Sequence, residues 1–316
     1  MELLSTIAKN IKAKDFFYIL THMYPDGDTL GSAFALCRTL QKMGKHAKVL
    51  CSDPIPKKFE FMADFVKKED FEPECIISVD LADTNLLGEK LEKYEHKIDM
   101  CIDHHPSNRN YTDISYVNST AAANSEIIYD LIKEMGIIID AETATCLYVG
   151  VATDTGCFKY QNTTWRTHFI AAELMKLGAN TAKINEKLFT VKPRKKFEAE
   201  RIIYKNLEYF FSGKCAMSFI TLKEMESIGV NNNELDGIAS VPIKIEGVQI
   251  GITIREKSFD HYKISVRTKS GGIDANEFCS KFGGGGHLMA GGFDTKGTLE
   301  KAKERILEKL KLQLGW

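Results

Sequence analysis

The sequence lacks several features that would mark a specialised class of protein. Its 316 residues carry 42 basic and 43 acidic side chains, so there is no surplus of positive charge. Proteins that bind long nucleic acids by counterion release usually show such a surplus. No stretch approaches the ~18 consecutive apolar residues that a membrane span requires. We therefore expect no membrane contact, and any nucleic-acid partner should be short or held by a few local groups.

The eight cysteines include no C-x-x-C pair, and most of them lie inside apolar runs. Cys75 lies in ECIISVD and Cys101 in DMCIDHH. Thiols in such runs are typical of reduced core residues in a cytosolic protein. The amino-terminal residues also lack the apolar core of a signal peptide. These observations together predict a cytoplasmic location.

The first half of the chain alternates strand-like and helix-like patterns. Runs rich in Ile, Val or Cys, each ending in polar residues, occupy 16–22, 47–53, 75–83 and 97–105. Helical patterns occupy 29–44, 124–136, 141–156 and 165–178. Alternation of this kind, with nearly continuous apolar strands, predicts an α/β fold with a parallel sheet covered on both faces. Functional groups in such folds lie at the carboxyl ends of the strands.

The pattern changes beyond residue 186, which predicts two domains. We expect the first domain at 1–186, a linker helix at 187–212 and a smaller α/β domain at 213–316. In the second domain, strand patterns occupy 214–220, 248–256 and 261–269. A short helix, a glycine run and a terminal helix follow them. We interpret the basic KPRKK segment at 192–196 as a solvated face of the linker rather than a nucleic-acid patch.

Acids and imidazoles follow three strands of the first domain, and a further acid ends a helical pattern. A single Asp after a strand is often only a helix cap. Many such groups at one edge would repel one another unless cations neutralised them. Ligand sets of His and Asp without thiolate suit Mn²⁺, Co²⁺ or Zn²⁺, and a pair of such ions is the usual clamp for phosphoester hydrolysis. The residues are His22, Asp26, Asp28, Asp80, Asp103, His104, His105 and Asp154.

These residues lie in motifs that resemble those of the DHH phosphoesterase family. H-x-x-P-D-G-D-x-x-G-S at 22–32, the strand-end Asp80, D-H-H-P-x-N at 103–108 and T-D-T-G at 153–156 follow the four family motifs in order. SVR at 265–267 and GGGGH at 283–287 resemble the DHH-associated C-terminal domain. The combination is similar to the bifunctional oligoribonucleases (nanoRNases) and pAp phosphatases. Members of that group often carry Arg directly after the GGGGH histidine, where this chain has Leu288.

The resemblance implies two divalent metal ions, with Mn²⁺ expected, and a cleft between the domains that holds the substrate. Asp80 would bridge the two ions. The first ion would be bound by His22, Asp26 and Asp80. The second would be bound by Asp28, Asp80, His104 and Asp154.

The charge of the substrate phosphate should be met by other groups. His105 would face the phosphoryl oxygens or the leaving group, and Asp103 would orient its histidine neighbours. From the loop after the DHH motif, Arg109 is a further candidate for substrate contact. In the second domain the candidates are Arg267, Gly284, Gly285, Gly286 and His287, since glycines allow close approach of backbone N–H groups to an anion.

The function that the resemblance implies is hydrolysis of short oligoribonucleotides to 5′-mononucleotides, together with removal of the 3′-phosphate of pAp. The partners would be short single-stranded RNA, dinucleotides and pAp, with a homodimer as one assembly. Within the superfamily the alternatives are a pApA phosphodiesterase of cyclic-dinucleotide turnover, a single-strand exonuclease and a pyrophosphatase. A nucleotide-binding regulator without catalysis is the alternative from another class.

Overall fold

The computed structural model describes residues 2–230, 235, 237–269 and 271–314. The chain divides into two compact units, Met1–Val191 and Lys192–Trp316. In the described part, no helix is both long enough and apolar enough to cross a bilayer. The last two residues of the predicted second domain, 315 and 316, lie outside the described residues.

The first unit contains a five-stranded sheet in the order β2-β1-β3-β4-β5, with every neighbouring pair parallel. The prediction of a parallel sheet is thereby confirmed. The last strand, β5, was not expected from the sequence, because it is a short, half-buried edge strand without the strong apolar pattern of the others. The strands are β1 (Phe17–Leu20), β2 (Ala47–Leu50), β3 (Cys75–Val79), β4 (Met100–Asp103) and β5 (Ile114–Val117).

Alternate residues of the central strands are buried on opposite faces of this sheet. Phe17 and Ile19 belong to the large core under the helices, whereas Tyr18 and Leu20 belong to a smaller cluster on the other face. That second face is covered by residues around the 3₁₀ turns Thr84–Leu86 and Glu92–Lys97. The helices are α1 (Glu2–Ala13), α2 (Gly27–Lys42), α3 (Asn124–Glu134), α4 (Ala141–Asp154), α5 (Trp165–Lys176) and α6 (Thr181–Asn185), with a π-helical turn at Glu186–Thr190.

Helices α2 and α4 pack unusually closely, and this packing brings a residue from the end of α4 to the sheet edge. A Cβ added to Gly31 would lie 2.5 Å from the carbonyl oxygen of Cys146. A Cβ added to Gly150 would lie 2.6 Å from Oδ1 of Asp28. Because neither glycine has a side chain, the two backbones can approach, and Asp154 reaches the carboxyl ends of the strands.

The second unit contains a six-stranded sheet in the order β10-β11-β9-β8-β7-β6, in which only β7 and β8 run parallel. One face packs on α9 and α10 through residues such as Ile264, Phe278 and Leu310. The strands are β6 (Glu208–Phe210), β7 (Cys215–Ile220), β8 (Ile250–Ser258), β9 (His261–Thr268), β10 (Gly285–His287) and β11 (Ala290–Lys296). The helices are α7 (Arg194–Lys205), α8 (Leu222–Ser227), α9 (Ala275–Ser280) and α10 (Leu299–Leu314).

The segment expected to form one linker helix, 187–212, contains three elements in the structure. These are most of the π-helical turn, helix α7 and strand β6. The apolar face of α7 is covered within the second unit, where Ala199, Ile202 and Ile203 pack with Ile220 and Met225. Helix α7 is therefore part of a core.

Candidate metal centre

The motif residues of the first unit meet at the carboxyl edge of its sheet. His22 lies two residues after β1, Asp80 directly follows β3, and His104 directly follows β4. Asp26 and Asp28 lie at the start of α2, where Asp26 caps the helix by accepting from the N–H groups of Asp28 and Thr29. The tight packing of α2 on α4 adds Asp154, the last residue of α4. Parallel strands explain this convergence, since their carboxyl ends share one edge.

His22, Asp26 and Asp80 form one cluster of metal-ligating side chains. Nε2 of His22 lies 3.8 Å from Oδ1 of Asp26 and 3.9 Å from Oδ2 of Asp80. Ligand atoms about 2.0–2.2 Å from a common ion lie at most about 4.4 Å from one another. These side chains are therefore spaced as a single cation would require.

Asp28, His104 and Asp154 form a second cluster, which also borders Asp80. Nε2 of His104 lies 3.4 Å from Oδ1 of Asp80, 3.6 Å from Oδ2 of Asp154 and 3.9 Å from Oδ2 of Asp28. Asp80 thus presents Oδ2 to His22 and Oδ1 to His104. One carboxylate with an oxygen toward each imidazole can be shared by two cations.

Asp80 has the backbone and the burial expected of a residue held in place for a ligand. Its φ is +55°, in the left-handed region that costs energy for a residue with a side chain. The residue is 3% exposed, and Oδ1 is buried without a hydrogen-bond partner in the part of the chain that the structure describes. A buried carboxylate oxygen without a partner is costly. A cation would satisfy it, so the residues present fit a metal site.

The imidazoles of both clusters are oriented by backbone carbonyls. Nδ1 of His22 donates to the carbonyl of Met23 at 2.7 Å, and Nδ1 of His104 donates to the carbonyl of Ala121 at 3.2 Å. A carbonyl can only accept, so in the neutral imidazole Nε2 carries the lone pair and faces the carboxylates. This is the usual outer hydrogen bond of a metal-binding histidine.

The surrounding carboxylates change the proton affinity of these imidazoles. Burial alone would lower the pKa of His22, but Asp26 and Asp80 raise that pKa to about 9. Burial alone would also lower the pKa of His104, but Asp80 and Asp28 raise that pKa to about 10. A divalent cation bound by the two Nε2 atoms would take the place of these protons.

Two carboxylates of the second cluster are crowded and poorly solvated. Burial, together with the charges of Asp80 and Asp154, raises the pKa of Asp28 well above its ordinary value. Burial also raises the pKa of Asp154 to about 6, with Asp80 adding to the effect. Such shifts are typical of carboxylates that share a site intended for positive charge.

Asp28 is fixed by the start of helix α3, an arrangement that sequence reasoning missed. Its oxygens accept from the backbone N–H groups of Asn124 at 2.6 Å and Ser125 at 2.9 Å. The residue at the N-cap of α3 is Ala123, which has no capping side chain. Asp28 therefore caps α3 from another element. The sequence signal for this contact was Ala123 itself, because an N-cap position favours Ser, Asp or Asn and alanine cannot cap the helix.

Asp103 is fully buried and is bonded to its neighbours rather than to the carboxylate clusters. Oδ1 accepts from Nδ1 of His105 at 2.8 Å and from the N–H of His104 at 2.8 Å, and Oδ2 accepts from Nδ2 of Asn108 at 2.7 Å. Burial would raise the pKa of Asp103, but the bonds from His105 and Asn108 outweigh it and lower that pKa. His105 also lies 3.5 Å from Asp80.

Arg109 lies on the surface of the first unit. Its side chain is 69% exposed, and Nε lies 2.8 Å from Oδ2 of Asp83. The charge of Arg109 is therefore compensated by an exposed ion pair, which contributes little to stability.

Arg267 and His287 of the second unit stand in one row across three strands. Arg267 of β9 is opposite Ala290 of β11, and Ala290 is opposite His287 of β10. Directly paired residues point to the same face of a sheet, so the two side chains flank a small residue. Within the described ranges, Arg267 has no carboxylate partner, and it donates to the carbonyl of Val266 at 2.9 Å. A half-buried guanidinium without a carboxylate suits an anion.

The glycine run has a packing role that differs from the predicted anion cradle. The N–H of Gly284 donates to the carbonyl of Cys279 at 3.0 Å, and that of Gly286 donates to Oδ1 of Asn276 at 2.8 Å. A side chain at Gly284 or Gly286 would overlap the backbone of β11. A Cβ added to Gly285, which lies between them, would meet only Oδ1 of Asn276, at 3.4 Å. The glycines let β10 lie tightly against its neighbour.

Comparison with known proteins assigns both units. Residues 17–151 match the DHH family, N-terminal domain, and residues 213–315 match the DHHA1 domain. The chain is 30% identical over 322 residues to the bifunctional oligoribonuclease and PAP phosphatase NrnA of Thermus thermophilus, covering 99% of this chain and 94% of that protein. It is 31% identical to the probable bifunctional oligoribonuclease and PAP phosphatase NrnA of Streptococcus mutans, covering 98% and 99% of the two chains.

A solved structure supports the same fold. The exopolyphosphatase-related protein of Bacteroides fragilis superposes with a TM-score of 0.84 at 24% identity, covering 100% of this chain and 98% of that one. The family match and the near-full-length relatives identify the chain as a phosphoesterase of the hydrolase class. More narrowly, it belongs to the DHH family that carries a C-terminal DHHA1 domain, as the sequence predicted.

Proposed function

We propose that the protein is a metal-dependent phosphoesterase that hydrolyses short oligoribonucleotides to 5′-mononucleotides and converts pAp to AMP. The observation that carries the proposal is the position of Asp80. This buried carboxylate has one oxygen toward each of two histidine-containing clusters. The names of the full-length relatives support the choice of substrates. The eight cysteines, all unpaired, support action in a reducing compartment such as the cytoplasm.

Divalent cations, which we propose to be two Mn²⁺ ions, would neutralise phosphate charge and activate water at this edge of the sheet. One would be held by His22, Asp26 and Asp80, and the other by Asp28, Asp80, His104 and Asp154. Imidazole ligands favour Mn²⁺ or Co²⁺, whereas Mg²⁺ prefers oxygen ligands and retains its waters. We therefore expect chelated protein to regain activity with Mn²⁺ and to remain poorly active with Mg²⁺.

His105 is suited to a role in proton transfer or in phosphate binding. Its hydrogen bond to Asp103 raises the pKa of His105, which favours the protonated imidazole. Asp103 also holds the ring with Nδ1 turned inward, so Nε2 is the atom left to meet a substrate. A protonated Nε2 can bond a phosphoryl oxygen or donate a proton to the departing oxygen.

Other cations of the chain would bind the rest of the substrate. Arg267 and His287, which flank Ala290, would be two donors for one phosphate group. That group would lie beside the run Gly284, Gly285 and Gly286, of which Gly285 is the one without a steric contact with β11. Arg109 would exchange its exposed ion pair with Asp83 for a phosphate contact.

The test is a product time course with 5′-labelled RNA of two to ten nucleotides, with pAp, pApA and pyrophosphate in parallel, in Mn²⁺. We expect 5′-mononucleotides from the shortest RNAs and AMP from pAp, with slower turnover as the RNA lengthens. Preference for pApA alone would indicate the cyclic-dinucleotide pathway, and preference for long strands or pyrophosphate would indicate the other superfamily activities. Binding without turnover of any of them would contradict an enzyme.

A further inference from the structure

Tyr24 lies in the loop between β1 and α2, two residues after His22 and two residues before Asp26. Two peptide units span at most about 7.6 Å between Cα atoms, so Tyr24 is adjacent to both of these ligating residues. Its side chain is 78% exposed. The ring is therefore exposed on the loop that carries two residues of the metal centre, and it is available to another molecule.

The backbone of this loop is held on both sides. The N–H of Tyr24 donates to Oδ2 of Asp53 at 2.8 Å, and the N–H of Met23 donates to the carbonyl of Leu86 at 2.6 Å. The φ of Tyr24 is +53°, a conformation that glycine adopts without cost and a tyrosine does not. A strained aromatic is thus kept at a position where glycine would satisfy the backbone.

Phe16 provides a comparison at the other end of the same strand. It also has a positive φ, +50°, but its ring stacks on His46 with centroids 4.4 Å apart. Internal packing accounts for Phe16. For Tyr24, no ring contact occurs among the residues that the structure describes, so packing does not account for it.

We infer that the ring of Tyr24 stacks on a nucleobase of the nucleotide whose phosphate is bound at the metal centre. The inference rests on the proposed function. An aromatic face accepts any base, because every base has a π-face, and stacking of this kind is tolerant of sequence. The ribose sets the base several ångströms from the phosphate, and Tyr24 lies two positions along the chain from both His22 and Asp26. Tyr24 would then distinguish nucleotides from phosphoesters without a base.

The test uses Tyr24→Gly, which removes the ring and relieves the backbone, and Tyr24→Phe, which keeps the ring. Phe16→Ala is the matched control, since it removes an aromatic with positive φ from the opposite end of β1. The substrates are pApA and its two analogues in which hydrogen replaces one base. Bound Mn²⁺ is measured for each variant, and KM and kcat are determined separately.

For Tyr24→Gly we expect KM for pApA to rise about tenfold, kcat to change less than about threefold and bound Mn²⁺ to be unchanged. Tyr24→Phe and Phe16→Ala should behave like the wild type. On the analogue that lacks the stacked base, the wild type and Tyr24→Gly should have the same KM. That result would identify which base is stacked.

Equal losses on pApA and on both analogues, or loss of Mn²⁺, would overturn the stacking role and make Tyr24 a structural residue of the loop. Failure of Tyr24→Phe to keep the wild-type KM would overturn it as well. Absence of turnover by the wild type on pApA, short RNA and pAp would overturn the proposed function, and with it this inference.

Discussion

At the carboxyl edge of the first sheet, four carboxylates and two imidazoles lie together, whereas in the second sheet a guanidinium and an imidazole flank a single small residue. The first group has carboxylate oxygens 3.4–3.9 Å from the Nε2 atom of each imidazole. The second group has no carboxylate partner for its arginine in the described ranges. Under the proposed function, the first site would hold cations and the second would hold an anion. Substitutions should therefore separate metal binding from substrate binding.

The largest effect is expected for Asp80→Asn. Loss of the shared ligand should reduce kcat/KM more than a hundredfold in saturating Mn²⁺, because both clusters lose an anionic oxygen at once. Activity of the purified variant is measured on pAp, with circular dichroism to confirm folding. Asp99→Asn is the matched control, since Asp99 precedes β4 at the opposite end of the sheet and bonds Lys14 and Ile76 there. Retention of more than about a tenth of the wild-type activity would contradict the shared role.

The second-largest losses of activity are expected for Arg267→Ala and His287→Ala, which test the site of the second unit. A charged hydrogen bond to phosphate contributes about 1.5–3 kcal/mol, so each variant should lose about ten- to a hundredfold in kcat/KM on short RNA and pAp. Bound metal should stay at the wild-type level. Hydrolysis of bis-p-nitrophenyl phosphate, which lacks a terminal phosphate, should fall much less. Equal losses on all substrates, or loss of metal, would refute the assignment.

Gly150→Ala tests whether helix packing sets the first site. The added methyl group would overlap Oγ of Ser125 and lie 2.6 Å from Oδ1 of Asp28. We expect a loss of about 1–3 kcal/mol in the free energy of unfolding, together with weaker Mn²⁺ binding. Denaturant unfolding and metal titration measure the two effects. Gly136→Ala, where nothing lies within 4 Å, is a control whose positive φ of +72° adds only backbone strain. Unchanged metal affinity in Gly150→Ala would show that the close packing of α4 does not determine the geometry of the metal centre.

The smallest effect concerns Asp140, which caps the start of α4 while Asp154 ends the same helix. Burial would raise the pKa of Asp140, but hydrogen bonds from Arg38 and the Thr143 N–H outweigh it and lower that pKa below its ordinary 3.8. A lowered pKa stabilises the fold above the unfolded value, and the stabilisation is lost as pH falls through the folded value. Asp140→Asn should therefore cost about 1 kcal/mol at pH 7 and progressively less below pH ~4. A pH-independent difference in unfolding free energy would contradict the charge-based explanation.

The convergence of the first site could be predicted because it depends on chain order alone. Residues that follow β1, β3 and β4 must share an edge once the sheet is parallel, so His22, Asp80 and His104 could be grouped before any coordinates. The sequence carried no comparable signal for Asp28 as the cap of α3. That contact joins residues 96 positions apart and depends on how α2 packs on α3.

The second unit was harder to predict in detail. The helical pattern of 187–212 was visible, but its burial against Ile220 and Met225 depends on tertiary packing. The GGGGH run suggested an anion cradle, whereas Gly284 and Gly286 have a steric reason in the β10–β11 pairing. Glycine permits close approach by a ligand or by another strand, and sequence alone does not distinguish the two.

The central claim is that two cations share Asp80 at the carboxyl edge of the first sheet. Anomalous diffraction from crystals grown with Mn²⁺ tests it most directly, because it locates each manganese independently of activity. The account predicts two manganese peaks per chain, one bound by Nε2 of His22 and one by Nε2 of His104, with an oxygen of Asp80 bound to each. A single peak, or two peaks of which only one contacts Asp80, would contradict it.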